Sequence, residues 1–448
     1  MKKSPWAWVP TLYFAEGVPY VAVMTISLIL YKRLGLSNTD ITLYTSWLYL
    51  PWVIKPLWSP FVDILKTKRW WIVTMQLLIG AALAGVAFTI PGPYWLQGSL
   101  AFFWLMAFSS ATHDIAADGF YMLGLDSHEQ AYFVGIRSTF YRIATIFSSG
   151  ILVGLAGALQ VITREIRYSW SLVFYLMAGL FIALWLYHNW VLPRPESSEE
   201  RRVKSDELAT AIPESSAEEV TAAANSSFFT LHSSLLQGFW DTLKSFFQKP
   251  QVWVGICFML FYRMPEGLLA KVSALFLVDA PHNGGLGLSD GEYGLVQGTV
   301  GVIGLTLGGI LGGICASRDG LKRWLWPMVM AITLPDLVYV YLSYALPSSL
   351  LVVNVCVFIE QFGYGFGFSA YMLYLIYYSQ GEHKTSHYAL CTAFMALSMM
   401  IPGLFAGAMQ EAVGYRLFFI IVVLTCVMTY LVTALLDIDA EFGKKREE

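Results

Sequence analysis

An all-α integral membrane protein, with twelve transmembrane helices arranged as two six-helix bundles, is the fold class that three features of this 448-residue chain predict. The composition is 56% hydrophobic and only 13% charged, far from the balance of a water-soluble domain. Apolar stretches of about 20 residues, enough for a helix to cross a bilayer core of about 30 Å, recur along nearly the whole length. Short motifs of the first half also return in the second at an almost constant offset, which marks a duplicated unit.

Taken in order, the spans are expected near 8–30, 41–62, 71–90, 96–124, 133–160, 169–191, 251–278, 291–315, 324–346, 350–379, 386–410 and 415–437, and are numbered 1 to 12 below. Span 1 follows Lys2 and Lys3 but carries Glu16 and lacks a small-residue cleavage site, so it reads as a retained helix rather than a signal peptide. Glu16, Gly17 and Pro19 put a carboxylate and two helix breakers near mid-membrane, where freed backbone groups need neighbours or cavity water. Span 2 contains Pro51, Lys55, Pro56 and Pro60, ends at Asp63 and leads into the basic turn Lys66 to Trp70. The charges of that turn set topology and can pair with Asp63 and a helix end.

The pattern breaks between Pro193 and Pro250. Residues 1–193 are expected to form the first bundle and 250–437 the second, followed by a short cytoplasmic tail, 438–448. The stretch 194–249 is rich in Ser, Glu, Ala and charge and reads as a cytoplasmic linker, with an amphipathic helix near 238–247 lying on the membrane surface.

Five matched motifs carry the duplication. Glu16-Gly17 reappears as Glu266-Gly267, Tyr121-Met122-Leu123 as Tyr371-Met372-Leu373, and Ala156-Gly157-Ala158 as Ala406-Gly407-Ala408, all at an offset of 250. Gly35-Leu36-Ser37 before Asp40 matches Gly287-Leu288-Ser289 before Glu292, and Lys68-Arg69-Trp70 matches Lys322-Arg323-Trp324. Two such halves are related by an axis along the membrane normal, as in rocking transporters.

The net charge of −3 is uninformative, but the placement of basic residues is not. With the N-terminus inside, eighteen Lys and Arg outside or at the ends of the spans fall on the inner side and five on the outer, which puts both termini in the cytoplasm. Cys257, Cys315, Cys356, Cys391 and Cys426 lie in or at the ends of spans without CxxC spacing, and read as small core residues with no disulfide framework and no metal site.

Charged side chains inside the spans are the candidate machinery: Glu16, Lys55, His113, Asp114, Asp118, Arg137, Arg142, Arg263, Glu266, Lys271, Asp336 and Glu360. Such residues usually face a cavity, pair with one another and mark a solute or proton path. Asp114 and Asp118, four apart, share a helix face, and Arg137 and Arg142 are read as roughly sharing theirs. Asp114, Asp118, Glu16 and Glu266 are candidates for carrying a proton, with Arg142 as partner of the aspartates. Lys55, Arg142, Arg137, Arg263, Tyr13, Tyr141 and Glu360 are candidates for binding an anionic or polyhydroxylated solute, and Tyr13, Trp47, Trp52, Tyr141, Tyr262 and Tyr364 for stacking on sugar rings. Structural readings stand beside these. The charges can simply dock two helices, Glu16 and Glu266 can satisfy backbone freed by the neighbouring Gly and Pro, and His113 can pack with a hydrogen bond.

Two six-helix halves, inner termini and a long central loop describe the major facilitator architecture. The loop Gly313 to Arg323, with Arg318, Asp319, Gly320, Lys322 and Arg323, resembles that superfamily's loop signature, and Asp63 with Arg69 forms a degenerate first-half copy. Tyr13-Phe-Ala-Glu-Gly-Val-Pro19, Lys55-Pro-Leu-Trp-Ser-Pro-Phe-Val-Asp63, Ser110-Ala-Thr-His-Asp114-Ile-Ala-Ala-Asp118 and Tyr141-Arg142 resemble the AmpG-type muropeptide permeases, a branch that also contains acetyl-coenzyme A transporters. That resemblance implies proton-driven import of anhydro-muropeptides across the bacterial inner membrane. It maps the family's acidic pair onto Asp114 and Asp118, its span-2 Lys onto Lys55 and its span-5 Arg onto Arg142. Where those permeases continue past the second Asp with a Trp and a basic residue, this chain has Gly119-Phe120-Tyr121, which leaves transport intact and the individual solute open.

The expected activity is therefore secondary active transport, a monomer in the bilayer taking a small solute, with the proton gradient as driving force, no cofactor and no nucleic acid. Another anionic solute, such as an acyl-coenzyme A or a siderophore, is the nearest alternative. An intramembrane acyltransferase lacks support because neither a Ser nucleophile motif nor HExxH spacing occurs. A receptor role for the central loop would not require so many buried charges.

Overall fold

The computed structural model describes residues 4–125, 127–194, 240, 243–381, 384–439 and 442. Helix occupies each of the twelve ranges predicted from the sequence, and nine stretches of the described residues are long and apolar enough to cross a membrane. Span 2 is split into Asn38–Trp47 and Leu50–Leu65, and spans 11 and 12 run as one helical stretch, Lys384–Ala434, bent at Gly414 (φ 76°). Most of the central linker 194–249 and of its amphipathic helix lies outside the described residues; 243–247 are helical, and Phe246 is fully buried against Tyr378, His387 and Phe394.

The duplicated motifs form duplicated structure. Gly35 and Gly287 both take left-handed backbone (φ 88° and 70°), a conformation open to glycine. Each is followed by a serine N-cap: Ser37 accepts from the Asp40 amide at 3.0 Å, and Ser289 forms a reciprocal capping box with Glu292. Gly17 and Gly267 are close approaches of span 1 to span 5 and of span 7 to span 11: a Cβ would lie 2.8 Å from Ala144 Cβ at the first, and 2.8 Å from the Ser398 carbonyl at the second.

Two seams join the halves. Along one, span 2 meets span 11, where a Cβ on Gly407 would lie 2.1 Å from the Asn38 carbonyl, and Thr42 Oγ1 accepts the Gly407 amide at 3.0 Å. Along the other, π-helical turns at Ile146–Leu152 and Val296–Gly301 face each other, and Gly298 lies against Gly150, too close for any side chain. Polar contacts then lock the end remote from the termini. Arg33 Nε donates to Asp290 at 2.5 Å, Lys32 to Asp279 at 2.7 Å, Asn38 to Gln410 at 2.6 Å and Gln160 to Asp290 at 2.6 Å. Burial alone would raise the Asp279 carboxyl, but hydrogen bonds from Lys32, Asn283 and Tyr415 hold it below the usual range. With the folded value depressed, that carboxylate's contribution is present above the unfolded value and is lost only as pH falls through the lower one.

Among the described residues, every hydrogen bond between the two halves lies at that end or near mid-depth. Among the described residues the polar contacts between the halves thus gather at the end remote from the termini. Gly407→Val should loosen the clamp by about 1–3 kcal/mol of overpacking. A Thr39→Cys/Glu411→Cys pair is expected to cross-link readily in the parent and about tenfold more slowly beside Gly407→Val.

Candidate functional site

Spans 1, 2, 4 and 5 bring six of the predicted residues into one group. Lys55 pairs with Asp114, and Arg137 Nη2 lies 2.9 Å from Asp118 Oδ1. The Tyr13 hydroxyl donates to the same Asp118 oxygen at 3.1 Å, and the Arg137 guanidinium lies 4.4 Å from the centre of the Tyr13 ring and 5.1 Å from that of Tyr121. Glu16 sits beside both aspartates with its Oε2 buried and unpartnered. Three carboxyls therefore meet two cations. Tyr388 of the second half lies within electrostatic reach of Asp118, Arg137 and Lys55, so the group sits on the side of the first half that faces the second.

The aspartates share a face, as expected, but the arginines do not. Five residues of helix turn through about 140° beyond a full circle, so Arg137 and Arg142 diverge. Arg137 takes Asp118, whereas Arg142 points to span 8 and donates to Thr306 Oγ1 at 3.3 Å; the expected pairing of Arg142 with the aspartates is corrected accordingly. His113 is fully buried and bonded through Nε2 to Gln76 at 3.0 Å, which in turn meets His188 at 3.0 Å. This chain packs spans 3, 4 and 6 together.

A second group occupies the other half. Arg263 is buried, donates to the Tyr364 hydroxyl and is surrounded by the rings of Tyr364, Phe368 and Tyr371, with its Nε unpartnered. Glu266 lies close to Arg263, which sits at the break in span 7 just before the helix that carries Glu266. Glu360 is more remote, accepting from Gln361 at 3.0 Å and Tyr339 at 3.5 Å, near Asp336. Tyr20, which sequence reasoning passed over, stacks edge-on with Trp52 at 5.3 Å and leans on Tyr141 at 6.3 Å, forming an aromatic wall between the two groups. Tyr262 is core, its hydroxyl bonded to the Gly367 carbonyl, and Trp47 is 43% exposed away from these rings.

The loop motif acts locally. Asp319 binds Trp324 Nε1 at 3.0 Å and Arg323 at 3.5 Å, Arg69 caps the end of span 6 through the Asn189 carbonyl at 2.5 Å, and Arg318 is exposed. The Asp63 side chain lies outside the described residues. Among those residues no cluster of His, Cys, Asp and Glu has metal-binding geometry.

The family model of the Major Facilitator Superfamily matches residues 12–280. The chain belongs to the major facilitator superfamily. It is therefore a multi-pass membrane transporter of small solutes and not an enzyme. This major facilitator transporter is 25% identical over 421 residues to the Anhydromuropeptide permease of Escherichia coli (strain K12), covering 91% of this chain and 75% of the relative. In fold it resembles a bacterial homolog of the human lysosomal transporter Spinster, in inward-facing and occupied conformation, with TM-score 0.64, 15% identity and 96% and 94% of the two chains covered. It also resembles the inward open conformation of the xylose transporter XylE from E. coli, with TM-score 0.63, 12% identity and 95% of each chain covered.

Removing one member of the first group leaves its partner uncompensated. Lys55→Met alone is expected to destabilise the purified protein by about 1–3 kcal/mol, read as a lower thermal midpoint. Lys55→Met with Asp114→Asn should recover most of that loss, because both charges are then gone.

Proposed function

We propose that this transporter is a proton-driven importer of cell-wall-derived anhydro-muropeptides or related amino sugars, working by alternating access in a bacterial inner membrane with both termini in the cytoplasm. The observation that carries the reading is the charge imbalance of the first-half group. Among the described residues the cations paired with Glu16, Asp114 and Asp118 are Lys55 and Arg137, so the neutral arrangement of the five holds one proton, and Glu16, hydrogen-bonded to Asp114 and with its Oε2 otherwise unpartnered, can carry it. Any bundle motion or solute that draws Lys55 or Arg137 away changes the number of protons the group holds, which is the elementary step of coupling.

Three further features support the assignment. With both termini in the cytoplasm, the clamp at Arg33, Lys32, Asp279 and Asp290 lies on the outer side, as an inward-facing conformation requires. The rings of Tyr20, Trp52 and Tyr141 offer stacking faces for sugar, and Arg142 and Arg263 offer cations for its acidic substituents. The relative in Escherichia coli bears the name of an anhydromuropeptide permease. Residues 1–193 and 250–437 are the two rocking bodies, tied by 194–249.

Purified protein in liposomes under an inward proton gradient should accumulate labelled N-acetylglucosaminyl-anhydro-muropeptide and ignore acetyl-coenzyme A. Asp118→Asn is expected to abolish gradient-driven accumulation at unchanged expression, and unimpaired accumulation would remove Asp118 from the mechanism. Deleting 197–224 should leave transport largely unchanged if the stretch only tethers the bodies.

A further inference from the structure

One buried cation has no part in either group. Lys271, on span 7, is only 6% exposed, and among the described residues no carboxylate lies within ion-pair distance of it. Its ammonium donates to Thr45 Oγ1 at 2.6 Å; the Thr45 hydroxyl proton goes to the Ile41 carbonyl at 2.7 Å, so the oxygen is free to accept. The Tyr49 ring lies 5.4 Å from Nζ. Of three ammonium hydrogens, one has an acceptor among these residues.

The surroundings repeat the imbalance. Ser46, next to Thr45, is fully buried with its Oγ unpartnered. Gly403 of span 11 covers both groups: a Cβ there would lie 2.5 Å from Ser46 Oγ and 3.3 Å from Lys271 Cε. The fold itself does not require this charge. At the offset of 250 that relates Glu16 to Glu266, the counterpart of Lys271 is Val21, an apolar core residue 3% exposed. A lysine buried in an apolar slab with no carboxylate beside it among the described residues, at a position where the duplicate is valine, gains an anionic partner only when one arrives during the transport cycle.

We propose that Lys271 binds the anionic group of the solute, a carboxylate, once the bundles part on this side. The inference rests on the transporter reading above and adds a residue and a chemistry to it. The walls of the pocket come from both bodies, Thr45 and Ser46 from the first and Lys271 and Gly403 from the second, so the rocking motion opens it. Closed, the Thr45 hydroxyl stands in for a carboxylate oxygen; open, the ammonium and the Ser46 hydroxyl are both free to donate to one. Tyr49 lies within electrostatic reach of Tyr20, Arg263 and Tyr364, so the pocket adjoins the aromatic wall on which a sugar body can stack.

The test uses two probes that differ in one charge: N-acetylglucosaminyl-anhydro-N-acetylmuramic acid, with its free lactyl carboxylate, and the neutral methylamide of the same disaccharide. Uptake of each is measured in liposomes holding the parent, Lys271→Met or Lys271→Arg. The parent should favour the acid by about tenfold in kcat/KM, as a charge-assisted contact provides. Lys271→Met should remove that preference by raising KM for the acid alone, and Lys271→Arg should keep most of it. Equal uptake of both probes by the parent, an undiminished preference in Lys271→Met, or an equal loss for both probes would overturn the proposal. Should Lys271→Met fail to fold, Lys271→Gln and Ser46→Ala are read in the same way, each expected to weaken the acid selectively. If the parent takes up neither probe, it is the muropeptide reading that falls, with this inference beneath it.

Discussion

A charge placed in an apolar slab costs a few kcal/mol unless it meets a counter-charge, a hydrogen-bonding cage or a wet crevice, and most of this molecule's polar architecture answers to that constraint. Lys55 and Arg137 neutralise two of three clustered carboxyls, and Tyr13 hydrogen-bonds to the second while its ring supports the guanidinium. Arg263 is wrapped in rings and bonded to Tyr364. What remains after these pairings, among the charged groups of the described residues, is one surplus carboxyl in the first-half group, the buried Asp336 and Glu360 with no ion pair, the unpartnered Nε of Arg263, and the buried Lys271 amine bonded only to Thr45. Structural ion pairs that merely dock helices would have no reason to leave such remainders.

The second theme is how two bundles stay in register while remaining free to part. Glycines at the seams let backbones touch, so that attraction there is dispersion spread over a narrow contact rather than deep interlocking of side chains. Hydrogen bonds and ion pairs then clamp the end remote from the termini. Because the two seams pair span 2 with span 11 and span 5 with span 8, they are equivalent under the duplication, and a single rotation opens or closes both. The facing π-helical turns of spans 5 and 8, and the break in span 2 at a position matching the turn in span 8, put local irregularity where the bodies meet.

Much of this was legible beforehand. Apolar run length located the helices, and repeated Gly-Leu-Ser and Glu-Gly motifs announced the duplication because each encodes a specific backbone event, a left-handed residue with its N-cap or a close helix crossing. The acidic pair was legible from four-residue spacing. The partners were less so. Arg142 was expected as the mate of the aspartates, but Arg137 takes that place, and only the tilt and rotation of span 5 decide between them, which tertiary packing sets. Tyr20 was a single aromatic among many, whereas Lys271 stood among the in-span charges but its lack of a neighbouring carboxylate appears only in the packed fold. The π-helical turns carry no sequence signal beyond nearby glycines.

The most direct test of the surplus carboxyl is a proton count. Liposomes containing the parent protein and an internal pH dye, with no imposed gradient of protons or voltage, are given external N-acetylglucosaminyl-anhydro-muropeptide, and proton and solute entry are measured together. Three carboxyls facing two cations predict that the lumen acidifies with the solute, at about one proton for each solute molecule carried. Solute entry without any acidification would show that the carboxyl group plays no part in coupling, and would contradict the account at its centre.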